Sequence, residues 1–146
     1  MVVRMEKTPF APLIRSQSDL EDAWRELMGP LGFGGHSLWL MFVQPDGTPM
    51  PHLTQVEECV RPPTPSEQAN FVALLKTLGS EMAEGERLVF LRSRPGRGGP
   101  RPDDLAWARS LYDACRVAGV PTDVVHLATD EVLVPLPMDD VLARTA

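Results

Sequence analysis

Residues 38–43, Leu-Trp-Leu-Met-Phe-Val, form an unbroken apolar run between a glycine-rich segment and the turn Pro-Asp-Gly at 45–47. A run of this length fits a strand. Because it has no polar alternation, neither of its faces can be left to water. The rest of the chain must therefore supply cover on both sides. Three segments have the spacing to do so. "SDLE" reads as a capping box, Ser18 with Glu21, and opens a helix through Met28 with Leu20, Trp24, Leu27 and Met28 on its apolar face. "GPLGFGG" breaks it. A second helix over 65–84 starts at the cap Thr64, with Pro65 in the first position and Glu67 completing the box. Phe71, Leu74, Leu75, Leu78 and Met82 recur along it at helical spacing, Gly79 is a weak spot, and Gly85 marks its end. A third helix, 103–118, carries Leu105, Ala108, Leu111, Cys115 and Ala118 on one face and ends at Gly119 and Pro121.

Strands fill the intervals. The segment around Leu53 to Val60 pairs with 38–43 across the Pro-Asp-Gly turn, and Pro51 places its entry near a sheet edge. "RLVFL", 87–91, is a strand, and "DVVHLAT" and "EVLVPLP" are two short ones around Asp130. The order is helix, two strands, helix, strand, helix, two strands. It predicts a single α/β domain, a mixed sheet flanked by helices, over residues 17–146, behind a loose lead-in at 1–16. At 146 residues the chain is long enough to close one core.

Charge and cysteine usage narrow the function classes. A net charge of −6 excludes nucleic-acid binding by bulk charge, so any anion site must be local. Cys59 and Cys115 stand far apart without metal-knuckle spacing, which predicts buried free thiols. No apolar run approaches membrane-spanning length, and the opening "MVVRMEKTPFAPLIR" has no leader-like core. The expectation is a cytoplasmic protein without a membrane partner.

The most unusual stretch is "VFLRSRPGRGGPRPDDLAWARSL", residues 89–111, where a strand runs into a loop of arginines, glycines and prolines before a helix. Arg92, Arg94, Arg97 and Arg101 precede a helix N-terminus, which favours anions. Arg92, Arg94 and Arg101 are therefore candidates for a phosphate or carboxylate. The competing reading is surface charge paired to Asp103, Asp104 and neighbouring acids. "GRGG" fits neither phosphate-loop nor dinucleotide spacing. His36, His52 and His126 have no ligand spacing, and Ser93 and Cys115 have no histidine nearby, so structural roles are expected for all five. Glu57 and Glu58 are adjacent in a strand, so only one can face a site. Trp24, Trp39 and Trp107 are expected in the packing of helices on the sheet.

The layout of the arginine loop resembles the JAB/MPN metalloprotease family, and within it the bacterial RadC-like proteins, whose loop reads H-x-H-P-S-G-x-P-x-P-S-x-x-D. Here "RLVFL" leads into "RSRPG" and then "PRPDD". Arg92 and Arg94 stand at the histidine positions, Arg101 at the serine once one loop residue is deleted, and Asp104 at the aspartate. Pro95, Gly96, Pro100 and Asp104 match the pattern. Glu57 or Glu58 falls where such chains carry a glutamate, and the likeness in element order spans about 36–138. The resemblance implies a JAB/MPN-like sheet with cytidine-deaminase-like layering, and a degenerate metal site at Glu57, Glu58, Arg92, Arg94 and Asp104. Arginine stays protonated and cannot ligate a cation. The expected function is non-catalytic: a binding or scaffold domain without metal or cofactor, acting through a protein partner or self-association. The alternative is a small-anion or nucleotide-binding regulatory domain, and divergent metal-dependent hydrolysis ranks last.

Overall fold

The computed structural model describes residues 3–7 and 13–145. Six strands form one mixed sheet in the order β1-β3-β2-β4-β5-β6, with β1 Val3–Lys7, β2 Ser37–Val43, β3 Pro49–Glu57, β4 Arg87–Ser93, β5 Val125–Ala128 and β6 Leu133–Leu136. β4 and β5 are parallel and every other neighbouring pair is antiparallel. The parallel pair is the one joined through a helix, as a crossover connection requires. The helices are α1 Gln17–Met28, α2 Pro65–Glu81, α3 Pro102–Ala118 and α4 Met138–Thr145.

The apolar run of β2 is covered on both faces, as its composition demands. Leu38 and Leu40 join Leu88, Phe90, Leu111 and Leu127 in the core under α2, α3 and α4. Met41 and Val43 join Val89, Leu91 and Trp24 in the core under α1. The alternation of β4 therefore sends Leu88, Phe90 and Arg92 to the α3 face. Tyr112 fastens α3 to the far end of the sheet, its hydroxyl accepting from the Val125 amide at 2.9 Å and donating to the Leu136 carbonyl at 2.7 Å.

Several expectations need correction. Part of the expected loose lead-in, Val3–Lys7, is an edge strand paired with β3; its Val-Arg-Met-Glu-Lys alternation is too short to stand out alone. Residues 1–2 and 8–12 lie outside the described residues. α1 begins earlier than the Ser18–Glu21 box: Ser16 caps it, accepting from the Asp19 amide at 3.1 Å, while Asp19 accepts from the Arg15 amide at 3.0 Å. β3 lies between β1 and β2, but Pro51 at its entry is past the last described β1 partner, in keeping with the expected place near an edge. Pro51 is tolerated there because the β2–β3 register shifts between Met41 and Val43, and the β1 pairing ends at His52. α4 was not expected.

α2 begins as its sequence predicts, with Thr64 and Glu67 in a reciprocal capping box. It ends three residues before the expected stop at 84. Its packing is unusual. α2 packs along α3, Leu75 alone of its residues is fully buried, and Phe71 meets Phe90 of β4 edge-on with ring centres 6.3 Å apart. Gly79 lets α2 approach the end of α3 closely: a Cβ there would stand 3.0 Å from a methyl of Val120. Toward β2 and β3 the apolar residues of α2 border a cavity.

Candidate functional site

Three of the residues that the resemblance places at one site, Arg92, Arg94 and Asp104, are together. Arg92 and Arg94, two apart at the end of β4, both turn toward Asp104 in the first turn of α3. All three are buried, at 2%, 2% and 0% exposure. Arg94 grips the carboxylate with two parallel bonds, Nε to Oδ1 at 2.8 Å and Nη2 to Oδ2 at 2.7 Å. Arg92 Nε donates to the same Oδ1 at 2.9 Å, and the Arg101 amide donates to Oδ2 at 2.8 Å. Asp104 thereby caps its own helix from the third position, which fixes where α3 starts.

The remaining guanidinium nitrogens are also occupied. Arg92 Nη1 donates to the Cys59 carbonyl at 2.6 Å, Arg92 Nη2 approaches the Val60 carbonyl at 3.4 Å, and the guanidinium lies 5.6 Å from the centre of the Trp107 ring. Arg94 donates to the Pro95 and Gly99 carbonyls, both at 3.1 Å. The carbonyls that meet Arg92 are presented by a backbone kink. Glu58 has φ of 63°, a left-handed conformation that non-glycine residues rarely adopt. The kink also breaks the strand alternation, so Glu57 and Glu58 line the same cleft, contrary to the expectation that only one faces it.

Electrostatics follow from this packing. Burial by itself would raise the Asp104 carboxyl. The hydrogen bonds from Arg94, the Arg101 amide and Arg92 outweigh it and hold the group below the usual carboxylate range. Two cations against one anion leave the cluster with an excess positive charge, which reaches a cleft of about 320 Å³ lined by His36, Arg101 and Asp103. His36 there is pushed below its ordinary value by burial and by Arg92 and Arg94.

Of the three anion-site candidates, Arg92 and Arg94 have internal partners at every guanidinium nitrogen, and only Arg101 is exposed. Two of the loop's own amides are taken as well. Gly96 donates to Asp130 at 2.8 Å and Gly98 to Glu131 at 2.7 Å. Gly96 stands at φ 104°, a conformation that residues with a Cβ rarely adopt.

The other singled-out residues are dispersed. Ser93 is buried and accepts from the Trp39 indole at 2.9 Å. Cys59 and Cys115 are buried free thiols, and burial pushes Cys115 up to about 12. His52 is exposed on β3, and His126 is fully buried on β5. Among the described residues no three His, Cys, Asp or Glu side chains form a metal-ligand group.

Sequence reasoning missed a second feature. Between α2 and the β2–β3 face lies an apolar cavity of about 480 Å³, with Leu40, Val56, Phe71 and Leu78 in its walls. Gln68 and Trp107 also line it, and each holds one buried polar atom with no hydrogen-bond partner among the described residues, Gln68 Oε1 and Trp107 Nε1. The Gln68 orientation is fixed because its Nε2 donates to the Ser110 carbonyl at 2.8 Å. The only signal for it in the sequence was that α2 has more apolar positions than one contact face needs. Compared with protein-family models, curated proteins and solved structures, the chain matches none of them.

Proposed function

We propose that this protein is a non-catalytic binding domain acting through protein contacts, with a JAB/MPN-like order of elements and a degenerate site at its centre. The observation that carries this reading is the occupation of Asp104: both carboxylate oxygens are held by Arg92, Arg94 and the Arg101 amide. A hydrolytic metal would need that carboxylate together with neutral donors, whereas two fixed cations repel a metal ion. Contact through protein surfaces is supported by Val60 and Leu74, large apolar side chains 58% and 50% exposed, Val60 at the cleft beside Arg101 and Leu74 at the apolar cavity. Self-association is the simplest form of such contact.

The test loads the protein with zinc, applies mild chelation, and follows mass by light scattering over a concentration series. The expected result is no retained zinc, together with self-association that a Val60→Glu/Leu74→Glu variant loses. One equivalent of zinc retained with hydrolysis of an isopeptide substrate would overturn the non-catalytic reading. A monomer at every concentration would remove self-association.

A second reading is favoured by the excess charge of the cluster: a small anion held in the cleft beside His36 and Arg101. Phosphate titration of wild type and Arg101→Ala tests it, with saturable binding weakened in the variant as the expected result.

A further inference from the structure

We propose that the outer edge of β1 pairs with β1 of a second copy of this chain, antiparallel about a symmetry axis at Met5, so that one sheet continues through a dimer. The proposal rests on the self-association reading above and names the edge and the register through which it occurs.

Three observations lead to it. The first is that the two edges of the sheet differ. β6 is closed to a further strand. It is four residues long, and Pro135 within it has no amide hydrogen to donate. Its Leu133 carbonyl already accepts from Arg25 at 2.9 Å, and its Leu136 carbonyl from the Tyr112 hydroxyl at 2.7 Å. β1, the last strand on the other side, holds no proline or glycine. It pairs with β3 residue for residue, from Val3 with Val56 to Lys7 with His52. A strand without a bulge turns the amide and carbonyl of every second residue away from its neighbour, which is the template a further strand adds to.

The second is charge. β1 reads Val-Arg-Met-Glu-Lys, with Arg4 and Glu6 on either side of Met5. An antiparallel pair centred on Met5 sets Arg4 of each copy opposite Glu6 of the other. Moving the axis by one residue sets Arg4 opposite Arg4, or Glu6 opposite Glu6. Unlike charges stabilise a cross-strand pair and like charges weaken it, so this strand favours a second copy of itself in one register.

The third is continuity with the contact surface already described. Thr54 and Val56, the β3 partners of Met5 and Val3, also line the apolar cavity that Leu74 borders. The edge therefore adjoins one of the exposed apolar side chains on which the self-association reading relies.

The experiment uses the full chain, with mass followed by light scattering over a concentration series at low salt. Arg4→Glu and Glu6→Arg each oppose like charges at both pairs and should weaken the dimer by about tenfold. Arg4→Glu/Glu6→Arg, which exchanges the charges, should restore it, an outcome that a merely disrupted strand would not give. Met5→Cys should yield a disulfide-linked dimer under mild oxidation, because directly opposed residues stand about 4.5–5.5 Å apart between Cα atoms, within disulfide reach. Cys59 and Cys115 are buried, so the wild type should stay unlinked. A dimer indifferent to both single reversals overturns the β1 pairing. So does a double variant no stronger than the singles, or Met5→Cys chains that stay unlinked. A dimer that fails these tests but is dissolved by Val60→Glu/Leu74→Glu would leave self-association in place without β1. A wild type monomeric at every concentration overturns both.

Discussion

Arg94 and Asp104 meet fork to fork, with Nε and Nη2 at 2.8 and 2.7 Å from the two carboxylate oxygens and no exposure of Asp104 to solvent. This geometry joins the end of β4 to the start of α3. The pair does not stand alone, because Arg92 shares the same oxygen and carries the restraint on to the Cys59 carbonyl. Strand β4, helix α3 and the segment after β3 are thus tied through one carboxylate.

Removing that carboxylate should be severe. Asp104→Asn keeps the shape but leaves two guanidiniums buried without a counter-charge, and breaking a buried pair in this way costs about 3–5 kcal/mol. Arg97, exposed in the same loop, makes no comparable contact, so Arg97→Ala should leave the unfolding midpoint unchanged. Urea unfolding of the two variants provides the check. A small loss for Asp104→Asn would mean that the cluster contributes little to the fold.

Core substitutions should separate the closed side of the sheet from the side that borders the cavity. Leu127 is fully buried on β5, and Leu127→Ala should cost about 3–5 kcal/mol. Leu40 is 6% exposed and borders the α2 cavity, so truncation there enlarges an existing space and should cost about 2 kcal/mol. Equal losses in urea unfolding would show that α2 closes on the sheet in solution.

If Arg92 and Arg94 occupy ligand positions, replacing both by histidine should create metal affinity. Arg92→His/Arg94→His places two imidazoles on the face that already holds Asp104, a three-ligand set of the kind zinc accepts. The expected result is one equivalent of zinc on the folded double variant and none on wild type, read by elemental analysis. A folded variant that binds no zinc would detach the cluster from the metalloprotease pattern.

How much of this was legible depends on where the information lay. The unbroken run 38–43 required cover on both faces, and α1 opposite α2, α3 and α4 provides it. Thr64, Pro65 and Glu67 announced the start of α2 because capping is local chemistry. That Arg92, Arg94 and Asp104 share one site was implied by the resemblance of the loop to the metalloprotease pattern, not by periodicity. That the arginines are buried rather than solvated did not follow, since their acceptors Cys59 and Gly99 come from other segments. The left-handed Glu58 has no glycine or asparagine to signal it. The α2 cavity was beyond reach because helical periodicity predicts an apolar face but not the distance at which it is held.

Acid should destabilise the fold earlier than its carboxylates alone would require, and His126 is the reason. Its ring is fully buried on β5, Nδ1 lies 3.1 Å from the Val124 carbonyl, and Nε2 is buried without a partner among the described residues. Burial, assisted by the charge of Arg25 and opposed by the Val124 contact, lowers its pKa from 6.5 to about 4. Between those values the unfolded chain binds a proton that the folded chain refuses, so stability must fall as pH falls through that window. At about 1.36 kcal/mol per unit the loss approaches about 3 kcal/mol by pH 4. Asp104 adds its own loss only lower, below the ordinary carboxylate value and down through its depressed folded pKa. The two contributions therefore separate on the pH axis. Urea midpoints measured from pH 7.5 to 4 should decline steadily in wild type. His126→Leu, which removes the titrating group but keeps an apolar side chain, should flatten the curve across that range. An unchanged slope in the variant would assign the acid sensitivity to another group.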